Sequence, residues 1–131
     1  MLHADERAFV PDRGWWERLF ATIDAGDAAK FVKFLTPDAR FRFGNGPELV
    51  GSQVIATALV GFFAAISSSQ HRLLDFWATE RSVGCEGVVR YARHDGSFVS
   101  YPFANIFQLR GQEIASYHIY IDNSTLFAPT A

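Results

Sequence analysis

The chain has 131 residues, with 12 Lys plus Arg against 14 Asp plus Glu and a net charge of −2. That length fits one domain, expected to span 1–131. Both signs of charge are interspersed without a basic stripe, which excludes the usual nucleic-acid footprint. No apolar run is long enough for a membrane helix, and the single cysteine, Cys85, excludes an internal disulfide or a cysteine-based zinc cluster. The opening stretch MLHADERAFVPDRGWW carries acids and no long apolar segment, so a secretory leader is not expected. The expected compartment is the cytoplasm. Thirteen Phe, three Trp and four Tyr are many for this length, and a short chain has limited interior volume. Some of these rings must line a cavity or an interface.

Residues 1–11 read as a loose arm, with Phe9 and Val10 as a possible anchor. Asp12 is a candidate N-cap, and Trp15, Trp16, Leu19, Phe20 and Ile23 follow on one face of a helix. Gly26 closes it in the C′ position. Asp27 caps a short second helix through Leu35, and Thr36-Pro37 stops it, because the residue before proline is pushed out of the helical region. Arg40-Phe41-Arg42-Phe43 alternates as a strand, Gly44-Asn45-Gly46-Pro47 turns, and Leu49-Val50 returns. Ser52 is expected to cap a third helix with Val54, Ile55, Ala58, Leu59, Phe62, Phe63 and Ile66 on one side, ended by Ser67-Ser68-Ser69.

Four strands are expected next, over His71–Glu80, Val83–Arg93, Phe98–Leu109 and Glu113–Ile121, joined by hairpin-length connections. Helices first and a meander last indicate an α+β fold with helices on one face of the sheet. On the third of these strands Tyr101, Phe103, Phe107 and Leu109 point one way, and Pro102, Ala104 and Ile106 point the other. A sheet covered on one side should be polar on its other face. This one is apolar on both, so a homodimer through the outer face is expected.

Three segments carry a family resemblance. Ile23-Asp24-Ala25-Gly26-Asp27 resembles "ALNAGD", Leu35-Thr36-Pro37-Asp38-Ala39-Arg40-Phe41 resembles "LFADDATV", and Ile114 to Asp122 resembles "IxxWRDYFD". With the element order, these resemble the nuclear transport factor 2-like superfamily, which includes ketosteroid isomerases, limonene epoxide hydrolases and SnoaL-like polyketide cyclases. The resemblance covers nearly the whole chain. It implies a cystatin-like cone, three N-terminal helices packed on a curved, mostly antiparallel sheet that encloses a pocket. It specifies fold better than activity.

Carried across residue by residue, the isomerase tyrosine falls on Leu19, its general base on Phe43 and its oxyanion-hole acid on Asn105. The water-orienting groups of the epoxide hydrolases fall on Phe103, Asn105 and Ile119. Neither catalytic set is retained. The acid/base of the SnoaL-like cyclases falls near Tyr117 to Ile119, and the nearest substitutes are Tyr117, His118 and, on a neighbouring strand, His71.

Asn105 stands alone among Phe103, Ala104, Ile106 and Phe107, and a buried amide must find partners in backbone or ligand. His71 has the near-neutral intrinsic pKa that acid/base work needs, and in simple alternation it shares a face with Leu73, Asp75 and Trp77. His118 is expected to face outward, His3 and His94 to be exposed, and Asp122 to tie down the C-terminal segment. His71, His118 and Asp122 lack metal-ligand spacing, so no metal is expected.

The resulting expectation is a hydrophobic, oxygen-bearing small-molecule ligand and cofactor-free proton transfer beside a carbonyl, of isomerase, cyclase or dehydratase type. His71 would be the base, Asn105 the carbonyl polariser and Tyr117 an auxiliary donor. Trp16, Phe43, Phe63, Trp77, Tyr91, Phe103 and Ile119 would form the apolar wall. The alternatives are a non-catalytic binding module and a structural dimer of the same fold.

Overall fold

A computed structural model of the chain describes residues 9–128. Eight residues of the expected N-terminal arm, His3 among them, lie outside that range. Within it, Phe9 packs edge-on against Trp15 at 6.0 Å between ring centroids, whereas Val10 is exposed. Helix α1 spans Arg13–Asp24 and is capped as expected, the Asp12 carboxylate accepting the Trp15 N–H at 2.9 Å. Gly26 takes the left-handed conformation (φ 68°) that turns the chain back over the helix end.

Helix α2 (Ala28–Phe31), capped by Asp27, tightens into a 3₁₀ turn at Val32–Phe34. Strand β1 then begins earlier than the alternation indicated and covers Leu35–Phe43. Pro37 is tolerated there because the β1–β6 register shifts between Leu35 and Arg40, leaving the proline outside a regular ladder. After β2 (Leu49–Val50), α3 runs over Ser52–Ala65. Its N-cap is Gly51, not Ser52, since the chain enters the helix at φ 103°, which glycine adopts freely. The serines that were expected to end α3 are already partly strand, because β3 covers Ser68–Ala78. Strands β4 (Val83–Ala92), β5 (Phe98–Arg110) and β6 (Glu113–Tyr120) complete the meander.

The sheet order is β2-β1-β6-β5-β4-β3, with β1 parallel to β6 and every other pair antiparallel. The fold is therefore α+β, three helices on a curved six-stranded mixed sheet. Register aligns Phe43, Ile119, Asn105, Cys85 and Phe76 in one row across five strands on the helix-covered face.

One irregularity changes which residues face the helices. Leu73 opposes Gly87 and Asp75 opposes Glu86, so β3 carries an extra residue there, a β-bulge. Beyond it the alternation is displaced by one. Phe76 points inward beside Cys85, and Asp75 and Trp77 point outward, opposite to the expected assignment. Trp77 is 39% exposed and its ring lies on Gly84, where a side chain would collide with it.

Candidate functional site

The end of α1 supplies the first polar group. Asp24 is the last residue of the helix, where a carboxylate meets the negative end of the helix dipole. Three donors on β3 offset that unfavourable placement. The Ser69 hydroxyl donates to Oδ1 at 2.8 Å, the His71 backbone N–H donates to Oδ2 at 2.8 Å, and His71 Nδ1 lies 2.5 Å from Oδ1. A carboxylate only accepts, so the hydrogen between them belongs to Nδ1 and the neutral imidazole keeps its lone pair on Nε2. The pair is largely sequestered, the side chains being 11% exposed for His71 and 23% for Asp24. Phe20 stacks flat on the imidazole at 4.9 Å, and Phe103 meets it edge-on at 5.4 Å. The ring is thus held in plane by an aromatic, at one nitrogen by a carboxylate, and at its backbone by the same carboxylate.

His71 opens on a cavity of about 40 Å³ between α3, the end of α1 and the inner face of the sheet. Asn105, Tyr117, Tyr91 and Ser69 line the same space, and Phe41, Phe43, Phe62, Phe63, Phe103 and Ile119 supply apolar wall. Asn105 is 2% exposed and its Oδ1 has no hydrogen-bond partner among the described residues. Its amide lies against the Cys85 thiol on the neighbouring strand. The two ends of an amide exchange by a half-turn of the side chain. With the thiol satisfying one end, the other is left for a ligand, as acceptor or as donor.

Burial pushes the Tyr117 hydroxyl well up from its usual range, with Cys85, Tyr91 and Asp24 adding to the effect. Burial does the same to Tyr91, reinforced by Asp24 and Tyr101. Both hydroxyls are therefore protonated donors at neutral pH, not bases.

The structure brings together eight of the ten residues the sequence singled out, namely His71, Asn105, Tyr117, Phe43, Phe63, Tyr91, Phe103 and Ile119. It separates the other two. Trp16 is fully buried against Phe107 at 5.0 Å, under the first turns of α1, whereas the cavity opens at the far end of that helix. Trp77 lies on the opposite face of the sheet, moved there by the bulge. His118 faces outward as expected, stacked on Tyr120 at 3.8 Å. Asp122 accepts the Ser124 N–H at 3.1 Å, closing the turn into the C-terminal segment.

Sequence reasoning missed Asp24 and Ser69. Asp24 sits in Ile23-Asp24-Ala25-Gly26, which reads simply as a helix end. The available signal was a carboxylate at the wrong pole of a helix, a placement that calls for a partner.

A family model described as "SnoaL-like domain" matches residues 16–117. No curated protein sequence matches the chain. Among solved structures, a putative polyketide cyclase from Xanthomonas campestris pv. campestris superposes with a TM-score of 0.73 at 21% identity, covering 88% of this chain and 93% of that one. TerC co-crystallised with polyporic acid gives 0.72 at 14% identity, covering 82% and 88%. An epoxide hydrolase of M. tuberculosis, described as LEH-like, gives 0.72 at 15% identity, covering 86% and 83%. At these identities the likeness is one of fold.

Proposed function

The chain belongs to the SnoaL-like domain family, and on that premise we propose that its cavity binds an apolar, oxygen-bearing small molecule and moves a proton at a carbon beside a carbonyl. The observation that carries this reading is the 2.5 Å Asp24–His71 pair, opening on a cavity that also holds Asn105 and Tyr117. His71 Nε2 takes the proton from the carbon, and the neighbouring carboxylate stabilises the imidazolium that forms. The electron pair of the broken C–H bond moves onto the carbonyl oxygen. There the Tyr117 hydroxyl, and the Asn105 amide turned by a half-rotation so that its NH2 faces the cavity, donate to the developing charge in a site shielded from water.

Return of the proton from Nε2 to a different carbon isomerises the substrate. Attack of the enolate carbon on a second carbonyl of the same molecule closes a ring, with the proton delivered to the new alkoxide. Departure of a β-hydroxyl, protonated by the imidazolium, dehydrates it. In each route the proton held on His71 completes the balance, so none draws on a cofactor. The positions onto which the epoxide-hydrolase groups fall hold Phe103, Asn105 and Ile119, none of which supplies an acid or a base.

The test follows 2-tetralone in deuterated buffer by proton NMR. The native protein should speed loss of the protons flanking the carbonyl, and His71→Ala should slow the exchange by roughly 10²–10⁴-fold, the usual contribution of a positioned base. Exchange no faster than buffer across a panel of cyclic ketones, or exchange indifferent to His71→Ala, would remove the proton-transfer reading and leave a binding module of the same fold.

A further inference from the structure

Asp24 is a carboxylate in a place that disfavours its charge. It ends α1 at the negative pole of the helix dipole, and the Phe20 and Phe103 rings enclose its partner His71. Its two oxygens are not served alike. Oδ2 accepts the His71 backbone N–H, whereas Oδ1 accepts both the Ser69 hydroxyl at 2.8 Å and the imidazole Nδ1–H at 2.5 Å. Of these three donors, only the hydroxyl belongs to a residue other than His71 itself. Ser69 and His71 stand two apart on β3, so alternation sends both side chains to the helix-covered face, and the β-bulge begins beyond them at Leu73.

Ser69 is 8% exposed and lines the cavity. A hydroxyl carries one hydrogen, and this one is committed to Asp24, so the oxygen shows the cavity only lone pairs. It supplies no proton to a ligand. The other groups that face the pair are uncharged at neutral pH. Tyr91 comes from β4 and Tyr117 from β6, both kept protonated by burial, and β5 contributes Phe103 and Asn105. Helix α3 has no charged side chain. On α1 the other charges, Arg13, Glu17 and Arg18, are exposed in its first two turns. Asp27 turns to the Lys30 N–H on exposed α2 surface. None of these groups offsets the Asp24 charge, which leaves that work to the Ser69 hydroxyl.

We propose that Ser69 is the positioning residue of the base: its hydroxyl holds Oδ1 of Asp24 so that the carboxylate keeps its charge without drawing a second proton onto the His71 ring, and Nε2 stays free to accept one from the ligand. Without the hydroxyl, one lone pair of a sequestered carboxylate is left bare. The pair then relieves its charge by taking up a proton, and the place for that proton is the Nε2 lone pair that the reaction needs. That Ser69 serves a base rests on the proton-transfer reading; that it governs the protonation of the pair does not.

The experiment follows the His71 ring by nitrogen NMR in the ligand-free protein, its signals identified by their absence from His71→Ala. In Ser69→Ala the midpoint of the ring titration should move up by about one pH unit, roughly a tenfold gain in proton affinity, as expected for a lost hydrogen bond to a charged group. Ser69→Thr, which keeps the hydroxyl, should restore the native midpoint. Should Ser69→Ala fail to fold, Ser69→Val set against Ser69→Thr asks the same question, since those two differ by the hydroxyl. An unmoved midpoint in a folded chain lacking the hydroxyl, or a midpoint equally displaced in Ser69→Thr, overturns the role of Ser69. Exchange of 2-tetralone gives a second readout. Loss of the hydroxyl should move the acid limb of the rate to higher pH and leave the alkaline rate near native. A loss equal at every pH is a packing defect and also overturns the role. A native protein that exchanges no protons, with the NMR displacement intact, would sink the proton-transfer reading and leave the hold of Ser69 on the pair standing.

Discussion

Cys85 lies in the middle of the inner row with Asn105 beside it, and burial pushes its thiol up to about 12. The thiolate, which is the reactive form, is then on the order of 10⁻⁵ of the total at pH 7. An aromatic disulfide reagent should leave the native protein unlabelled over an hour and react with one thiol per chain in guanidinium. Labelling of native protein at the rate of a free thiol would mean that the inner row opens. Asn105 itself was legible in the sequence as a lone amide among apolar residues; its unpaired oxygen was not, because satisfaction depends on which strand lies alongside. Since that oxygen has no partner among the described residues, Asn105→Leu should weaken 2-naphthol binding by about 1–3 kcal/mol while leaving the melting temperature nearly unchanged. Unchanged affinity with a lowered melting temperature would make Asn105 a structural core amide. His71 was legible too as a candidate, from the chemistry of its side chain. Its carboxylate partner was not, because Asp24 stands 47 residues away on a different element.

At the scale of elements, caps and turns were readable where a single side chain decides them, as with Asp12, Gly26 and Asp27. The strands were readable from apolar runs. Facing along β3 was not, because strict alternation assumes an unbroken ladder and the bulge at Leu73–Asp75 breaks it. Gly87, opposite Leu73, shows what the bulge demands of its partner strand. A Cβ there would collide with the Arg72 carbonyl and press on the Phe103 ring, which is cavity wall and the edge-on neighbour of His71. The backbone carbonyl cannot rotate away as a side chain can. Gly87→Ala should therefore destabilise the fold by about 1–3 kcal/mol, in the range of overpacked core sites. Urea unfolding measures it, and a midpoint equal to that of the native protein would show that the strands part there without loss.

The outer face of the sheet bears on the whole molecule. Register places Trp77, Gly84, Ile106, His118 and Arg42 in one row, Asp75, Glu86, Ala104 and Tyr120 in the next, and Arg72, Val88 and Pro102 beyond. Trp77 and Tyr120 are exposed, and Ile106, Ala104, Val88 and Pro102 form an apolar centre flanked by Arg42, Asp75, Glu86 and Arg72. We propose that two copies associate through this face, an arrangement of the kind that buries upwards of about 2,000 Å² when obligate. Sedimentation should give about twice the 14.7 kDa chain mass at micromolar concentration. Ile106→Glu, which puts a carboxylate in the centre of the patch and touches nothing on the cavity side, should give the single-chain mass with an unchanged melting profile. His118 adds a pH dependence with a definite sign. Burial, helped by Arg42 and opposed by Glu48, already lowers its pKa from the ordinary 6.5, so the folded chain favours the neutral ring. Covering His118 at an interface deepens that preference. A group whose pKa falls on association binds fewer protons in the assembled state, so association is full above about pH 6.5 and weakens as pH falls through the imidazole range. His118→Gln should flatten that profile. A native protein that sediments as a single chain at neutral pH would overturn the assembly, and a dimer indifferent to acid would place His118 outside the interface.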